Sequence, residues 1–154
     1  MRGMFKNCLS LKSFYFPYFM KENNFVELDS MFEGCISLKK VQFGINKFNK
    51  IESLTYMFKG CSSIEFIDLS YFKNSKDCNI YGMFYGCSAL KEITMYRFNF
   101  DKVTKFEYWL NECLSLRGIR LSQFNEFNFE HSNIKLTLPY SIQIFRDGLT
   151  NDKE

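Results

Sequence analysis

Histidine is almost missing from this sequence: among 154 residues only His131 carries an imidazole. Catalysis by a histidine pair is therefore excluded, and a Ser-His-Asp or Cys-His mechanism would have to run through His131. That residue, in Phe129-Glu130-His131-Ser132, has no partners at a fixed spacing and reads as solvated. Alanine occurs once, at Ala89, and proline twice, at Pro17 and Pro139. No apolar stretch approaches the ~20 residues of a membrane span. The opening Met1-Arg2-Gly3-Met4-Phe5-Lys6-Asn7-Cys8 lacks the apolar run and the small-residue cleavage site of a secretory signal. A net charge of +3 is too mild to call for nucleic acid or a membrane surface. No acid pair, nucleophile–base pair or phosphate loop stands at a meaningful spacing, so the expectation is no enzyme, no cofactor and no metal.

Large rings are what the chain has instead. Nineteen Phe, nine Tyr and one Trp give an aromatic share of 19%, within 46% hydrophobic and 24% charged residues. That balance suits a packed core rather than a disordered tail. Lys outnumbers Arg fifteen to five and Asn is abundant, a bias that reflects an AT-rich genome more than a task. The length fits one domain or one short run of repeats.

The order of the cysteines decides for repeats. Cys8, Cys35, Cys61, Cys87 and Cys113 are separated by 27, 26, 26 and 26 residues, with Cys78 out of phase. Aligned on them, Met4-Phe5-Lys6-Asn7, Met31-Phe32-Glu33-Gly34, Met57-Phe58-Lys59-Gly60 and Met83-Phe84-Tyr85-Gly86 precede the sulfur. The fifth copy, Trp109-Leu110-Asn111-Glu112, keeps the apolar pair. Ser10-Leu11, Ser37-Leu38, Ser63-Ile64, Ala89-Leu90 and Ser115-Leu116 follow it. A period of this size means a solenoid, in which stacked units cover apolar faces that no single unit can cover.

Two periodicities divide each unit. Beyond the leucine, Phe14 and Phe16, Val41 and Phe43, Ile67 and Leu69, Ile93 and Met95, and Ile119 and Leu121 alternate as in a half-buried strand. Four copies then place a Phe three residues on (Phe19, Phe72, Phe98, Phe124), while the second copy has Phe48. Leu28, Met31 and Phe32, with their equivalents, sit at i, i+3 and i+4, which predicts a single helical turn. Gly34, Gly60, Gly86 and Asn7 are suited to end it in a left-handed conformation; Glu112 is not, so the fifth turn is expected to end differently.

The order Leu-x-x-Ile-x-Leu-x-x-Phe, as in Ile64 to Phe72, resembles the strand half of a leucine-rich repeat. With Met-Phe-x-Gly-Cys-x-Ser-Leu before it and Val103-Thr104 before a turn, it is similar to the BspA-like leucine-rich repeats. The resemblance covers residues 4 to about 124 and implies a repeat solenoid of the α/β type: a parallel sheet on one side, short helical turns on the other, five repeats of about 26 residues. The expected organisation is five repeats over 1–124, a degenerate last repeat over 125–146 acting as a C-terminal cap, and a polar tail over 147–154. Leu136 to Ile142 resembles a related repeat variant. Family members are mostly surface or secreted binding modules without enzymatic activity, so the resemblance implies a binding role.

Candidate partner-binding residues follow from strand parity. With Phe14, Phe16 and their equivalents inward, Ser13, Tyr15, Lys40, Gln42, Phe66, Asp68, Glu92, Thr94, Tyr96 and Arg120 point outward. Solenoids bind on such faces, with aromatics and Arg as anchors; a plain solvated face is the other reading. Lys12, Lys39, Glu65, Lys91 and Arg117 form a mostly basic stripe, read as a solvated edge that resists aggregation. The first repeat is a further candidate: Met4, Phe5, Leu11, Phe14 and Phe16 have no earlier rung to cover them. Pro17 blunts that edge. Another chain, a second copy or additional sequence is expected there.

The in-phase cysteines admit disulfides, metal ligation or buried thiols. One identical repeat position suits disulfide torsions poorly and supplies no Cys-x-x-Cys pair, which favours buried thiols. Cys78, in the polar run Lys73 to Cys78, is expected to be loop-like and reachable. The resulting expectation is a non-enzymatic protein-interaction module or a structural subunit of a larger assembly; the alternative is a secreted or surface adhesin. In-phase thiols and the lack of Asn-x-Ser/Thr sequons lean toward the cell interior.

Overall fold

The computed structural model describes residues 1–16, 26–44, 48–122 and 143–147. They form a parallel β-solenoid whose coil has three sides. Strands β1 (Ser13–Tyr15), β3 (Lys40–Gln42), β5 (Phe66–Asp68), β7 (Glu92–Met95), β9 (Gly118–Ser122) and β10 (Gln143–Asp147) line the first side. Strands β2 (Val26–Glu27), β4 (Phe48–Ser53), β6 (Phe72–Asn79) and β8 (Val103–Lys105) line the second. A column of turns closes the third. Every described strand pair is parallel and joins equivalent residues of successive repeats: Ile67 lies opposite Ile93, and Ile93 opposite Ile119.

The expected buried column is present, with Leu38, Ile64, Leu90 and Leu116 all inside the core. Beside it runs a stack of phenyl rings, Phe5 on Phe32 on Phe58 on Phe84, at centroid spacings of 5.6, 5.5 and 5.5 Å. Phe32 and Phe58 each fill the space between two neighbouring rings, so successive repeats are packed through them.

The turn column differs from the helical turns that the i, i+3, i+4 pattern predicts. Among the described residues the one helical element is a 3-10 turn, Phe100–Lys102. In the second repeat the amides of Leu28, Ser30, Phe32 and Gly34 donate to carbonyls of the next rung, Ser53, Thr55, Met57 and Lys59. Those of Met31, Glu33 and Cys35 bond back three residues instead. Two left-handed residues per turn, such as Ser30 (φ 54°) and Gly34 (φ 74°), reverse the chain and aim alternate amides along the stack. The same three side chains still gather inward, so the spacing was read correctly but the backbone was not. Glu112 also corrects its expectation: at φ 62° it ends the fifth turn just as the glycines end the others.

The second sheet occupies what reads in the sequence as a connection. Cys78 lies in β6 and is fully buried, contrary to the expected reachable loop. Its strand looks polar because the inward Asn74 replaces an apolar residue. The Asn74 carboxamide satisfies both main-chain groups of Asn99, donating to its carbonyl and accepting from its amide at 2.8 Å each. A buried polar group so paired carries little penalty. Residues 123–142, including most of the expected last repeat, lie outside the described residues, as do Pro17, Phe19, Phe124, His131 and Pro139. β10 stacks in register on β9, Ile144 opposite Ile119.

The cysteines are free. Each of four buried thiols donates to a carbonyl of the preceding rung: Cys35 to Phe5, Cys61 to Phe32, Cys87 to Phe58 and Cys113 to Phe84, at 3.0 to 3.1 Å. A small side chain with a weak donor fits that slot, which accounts for one cysteine per repeat. Native titration with a thiol reagent is expected to detect Cys8, which is half-buried, and to find the other five only after denaturation. Two or more fast-reacting thiols would contradict this burial.

Candidate binding site

The first sheet is split. Its strands form two hydrogen-bonded groups, β1-β3 and β5-β7-β9-β10, whereas β2-β4-β6-β8 and the turn column run unbroken past the same level. At the break, five residues connect β3 to β4 and three connect β5 to β6, while Phe48 and Phe72 stay in register behind it. Gly44, at φ 60°, follows β3.

The split opens a groove of about 780 Å³. Lys40 and Gln42 stand on its β3 wall, Phe66 and Asp68 on its β5 wall, with Glu92 and Thr94 beyond. Phe66 is 61% exposed, the one exposed phenylalanine among the described residues. Lys91 sits over that ring at 5.8 Å and pairs with Glu65 at 2.6 Å. Arg120 forks onto Glu92 at 2.6 and 3.2 Å. The Asp68 carboxylate accepts from the Ser70 amide and hydroxyl, which fixes the corner after β5. Within the mostly basic edge stripe, Glu65 pairs with Lys91 at the centre.

The parity-derived residues separate in the structure. On one side of the break Ser13 pairs with Lys40 and Tyr15 with Gln42. On the other, Phe66, Glu92 and Gly118 make one column and Asp68, Thr94 and Arg120 make another. Tyr15 is exposed, with Lys40 at 5.9 Å over its ring, but it does not line the groove. Tyr96 falls past the end of β7, in a turn, half-buried, and so leaves the sheet face. Tyr71 lines the groove and was missed, because parity stops applying once the chain turns at Ser70.

At the N-terminal end Met4 is 56% exposed, while Phe5, Leu11 and Phe14 are half-buried. Phe16 departs from the expectation of an uncovered residue. It is buried, stacked on Phe43 at 4.8 Å with Phe48 edge-on at 5.8 Å. Met4 and Phe5 lie away from the groove, on the turn column.

Among the described residues no three His, Cys, Asp or Glu side chains gather as metal ligands, and no helix is long and apolar enough to cross a membrane. With the five in-phase turns and both sheets in place, the comparison with known families is decisive. Residues 1–124 match the family described as Mycoplasma protein of unknown function, DUF285. The chain belongs to that family. No curated protein and no solved structure matches it. The family match ends at residue 124, two residues after β9, and β10 lies beyond it.

Proposed function

We propose that this solenoid is a non-enzymatic binding module that engages a protein partner through the solvent face of its first sheet, with the β3/β5 groove at the centre. Phe66 carries the reading. It is a large exposed ring at the mouth of a concavity whose lining carries charges of both signs, Lys39, Lys40, Asp68 and Glu92. Aromatic anchors seated beside polar rims dominate protein interfaces, and extended solenoid faces are where repeat proteins bind. The similarity of the Met-Phe-x-Gly-Cys-x-Ser-Leu repeats to BspA-like repeats supports a binding role of this kind. A structural place in a larger assembly is one form such binding takes.

The test compares the wild-type chain with a Phe66→Ala variant in quantitative capture from lysate of the source organism. Phe66 is exposed, so the variant is expected to keep its stability within about 0.5 kcal/mol. At least one protein retained by the wild type should be lost, and its affinity measured with purified components should fall by about tenfold or more. Identical capture profiles would remove this face from consideration.

A further inference from the structure

A second cluster lies on the turn column and owes nothing to the sheet face. Near its start each turn has a left-handed residue: Gly3, Ser30, Tyr56, Gly82 and Tyr108, all between φ 54° and 60°. Glycine adopts this conformation freely, whereas a ring-bearing residue does so against steric cost. Two tyrosines at such positions are backbone outliers, and outliers of this kind concentrate at ligand clamps.

Tyr56 leans onto the next rung, across Gly82. A Cβ at Gly82 would collide with the Tyr56 ring, so the absence of a side chain there is what makes room for it. Tyr81 is then held edge-on between two rings, 5.4 Å from Tyr56 and 5.5 Å from Tyr108. Tyr85 is fixed by its hydroxyl, which donates to Glu112 Oε1 at 2.7 Å. These four tyrosines and Lys59 line a shallow, open recess of about 320 Å³.

The recess already holds a cation, its own. Lys59 Nζ lies 4.5 Å from the centre of the Tyr56 ring and 5.9 Å from that of Tyr85, with Glu33 Oε1 at 3.8 Å. Ring faces attract ammonium groups through their quadrupoles. Glu33, Glu107 and Glu112 outnumber Lys59 and Lys6 around the cluster, so an anion is disfavoured. The Tyr81 phenol pKa is raised, first by its hydrogen bond with Tyr56, then by burial and by the charges of Tyr56 and Glu107, with Lys59 acting the other way.

We propose that the Tyr56-Tyr81-Tyr85-Tyr108 recess is a binding site for an organic ammonium group, with Lys59 as a built-in occupant that the ligand displaces. The Lys59 side chain is partly solvated and reaches the rings from the surface, so it can swing out without disturbing the core. The same chemistry is presented by a lysine side chain of a protein and by a small quaternary ammonium compound.

The full chain is titrated with tetramethylammonium chloride, with Nα-acetyl-lysine amide, and with sodium chloride as the salt control, while the tyrosine ring signals are followed by NMR. The ring signals of Tyr56, Tyr81 and Tyr85 are expected to shift saturably with at least one of the two cations. Lys59→Gln removes the competitor and should tighten binding about two- to fivefold, the size of one exposed cation–π contact. Tyr56→Gly suits the left-handed backbone, so it should fold, as circular dichroism will verify, and lose the response. A response to tetramethylammonium alone assigns a small ligand, and one to the lysine amide assigns a protein side chain. Ring shifts no larger than those in sodium chloride, or an affinity that Lys59→Gln leaves unchanged or weaker, would overturn the site.

Discussion

Phe58→Ala is expected to destabilise the solenoid by about 4 kcal/mol, within the usual range for removing a buried phenyl ring. Phe58 is wholly buried and stacks on Phe32 and Phe84 with interplanar angles of 13° and 5°. Truncation removes both ring contacts at once, each worth about 0.5–1.5 kcal/mol beyond its area. The loss also falls at the middle of a structure whose units depend on their neighbours. Against a total of about 5–15 kcal/mol for a domain, one such change approaches global unfolding. Phe58→Leu, which keeps most of the volume, should cost about half as much. Urea denaturation of the three proteins measures this; a Phe58→Ala midpoint matching wild type would mean that the phenyl stack does not hold the rungs together.

Alkaline pH is expected to unfold the protein by forcing its buried thiols to ionise. Burial pushes the thiols of Cys78 and Cys113 up to about 12, and raises those of Cys35, Cys61 and Cys87 as well. A thiol that stays neutral in the fold adds no pH dependence while the unfolded chain keeps its thiols protonated too. Above the unfolded value of about 8.5 the unfolded chain gains ionisation that the folded one refuses, so stability falls as pH rises and levels off only beyond the folded value. Each such thiol contributes about 1.4 kcal/mol per pH unit in that window. Four acting together, Cys61, Cys78, Cys87 and Cys113, give a slope of roughly 5–6 kcal/mol per unit, enough to melt a domain of ordinary stability by about pH 11. Urea midpoints between pH 7.5 and 10.5 test this, with Cys78→Ala expected to reduce the slope by about one thiol's share. A flat profile from pH 8.5 to 10.5 would show that the sulfurs are solvated.

Several levels of this molecule were determined by the sequence alone. Five copies of one pattern, in phase over more than a hundred residues, admit only stacking, and stacking dictates parallel pairing and single-residue columns. Leu38, Ile64, Leu90 and Leu116 had to fall together for that reason, as did the thiols and the phenyl rings. Strand parity likewise placed Phe66 and Asp68 outside and Ile67 inside, because a pleat has no other option.

Other features were decided only in three dimensions. The spacing of Leu28, Met31 and Phe32 is the same for a helical turn and for a chain that reverses twice through left-handed residues. What selects the second is the neighbouring rung, whose carbonyls offer the alternate amides a better partner than the turn itself. Glu112, Tyr56 and Tyr108 take left-handed backbones that their own preferences oppose, since the rungs on either side leave them no other path. Cys78 and Asn74 looked like loop residues because burial of a polar strand depends on a partner, here Asn99, twenty-five residues away in sequence. The groove lies where β3 and β5 do not pair, invisible until Phe48 and Phe72 are seen to stay in register behind it. The tyrosine recess needed Tyr56 to reach past its own repeat and lie over Gly82. A repeat determines what its units share; how far one unit departs from the next, and what that opens on the surface, is settled by contacts between them.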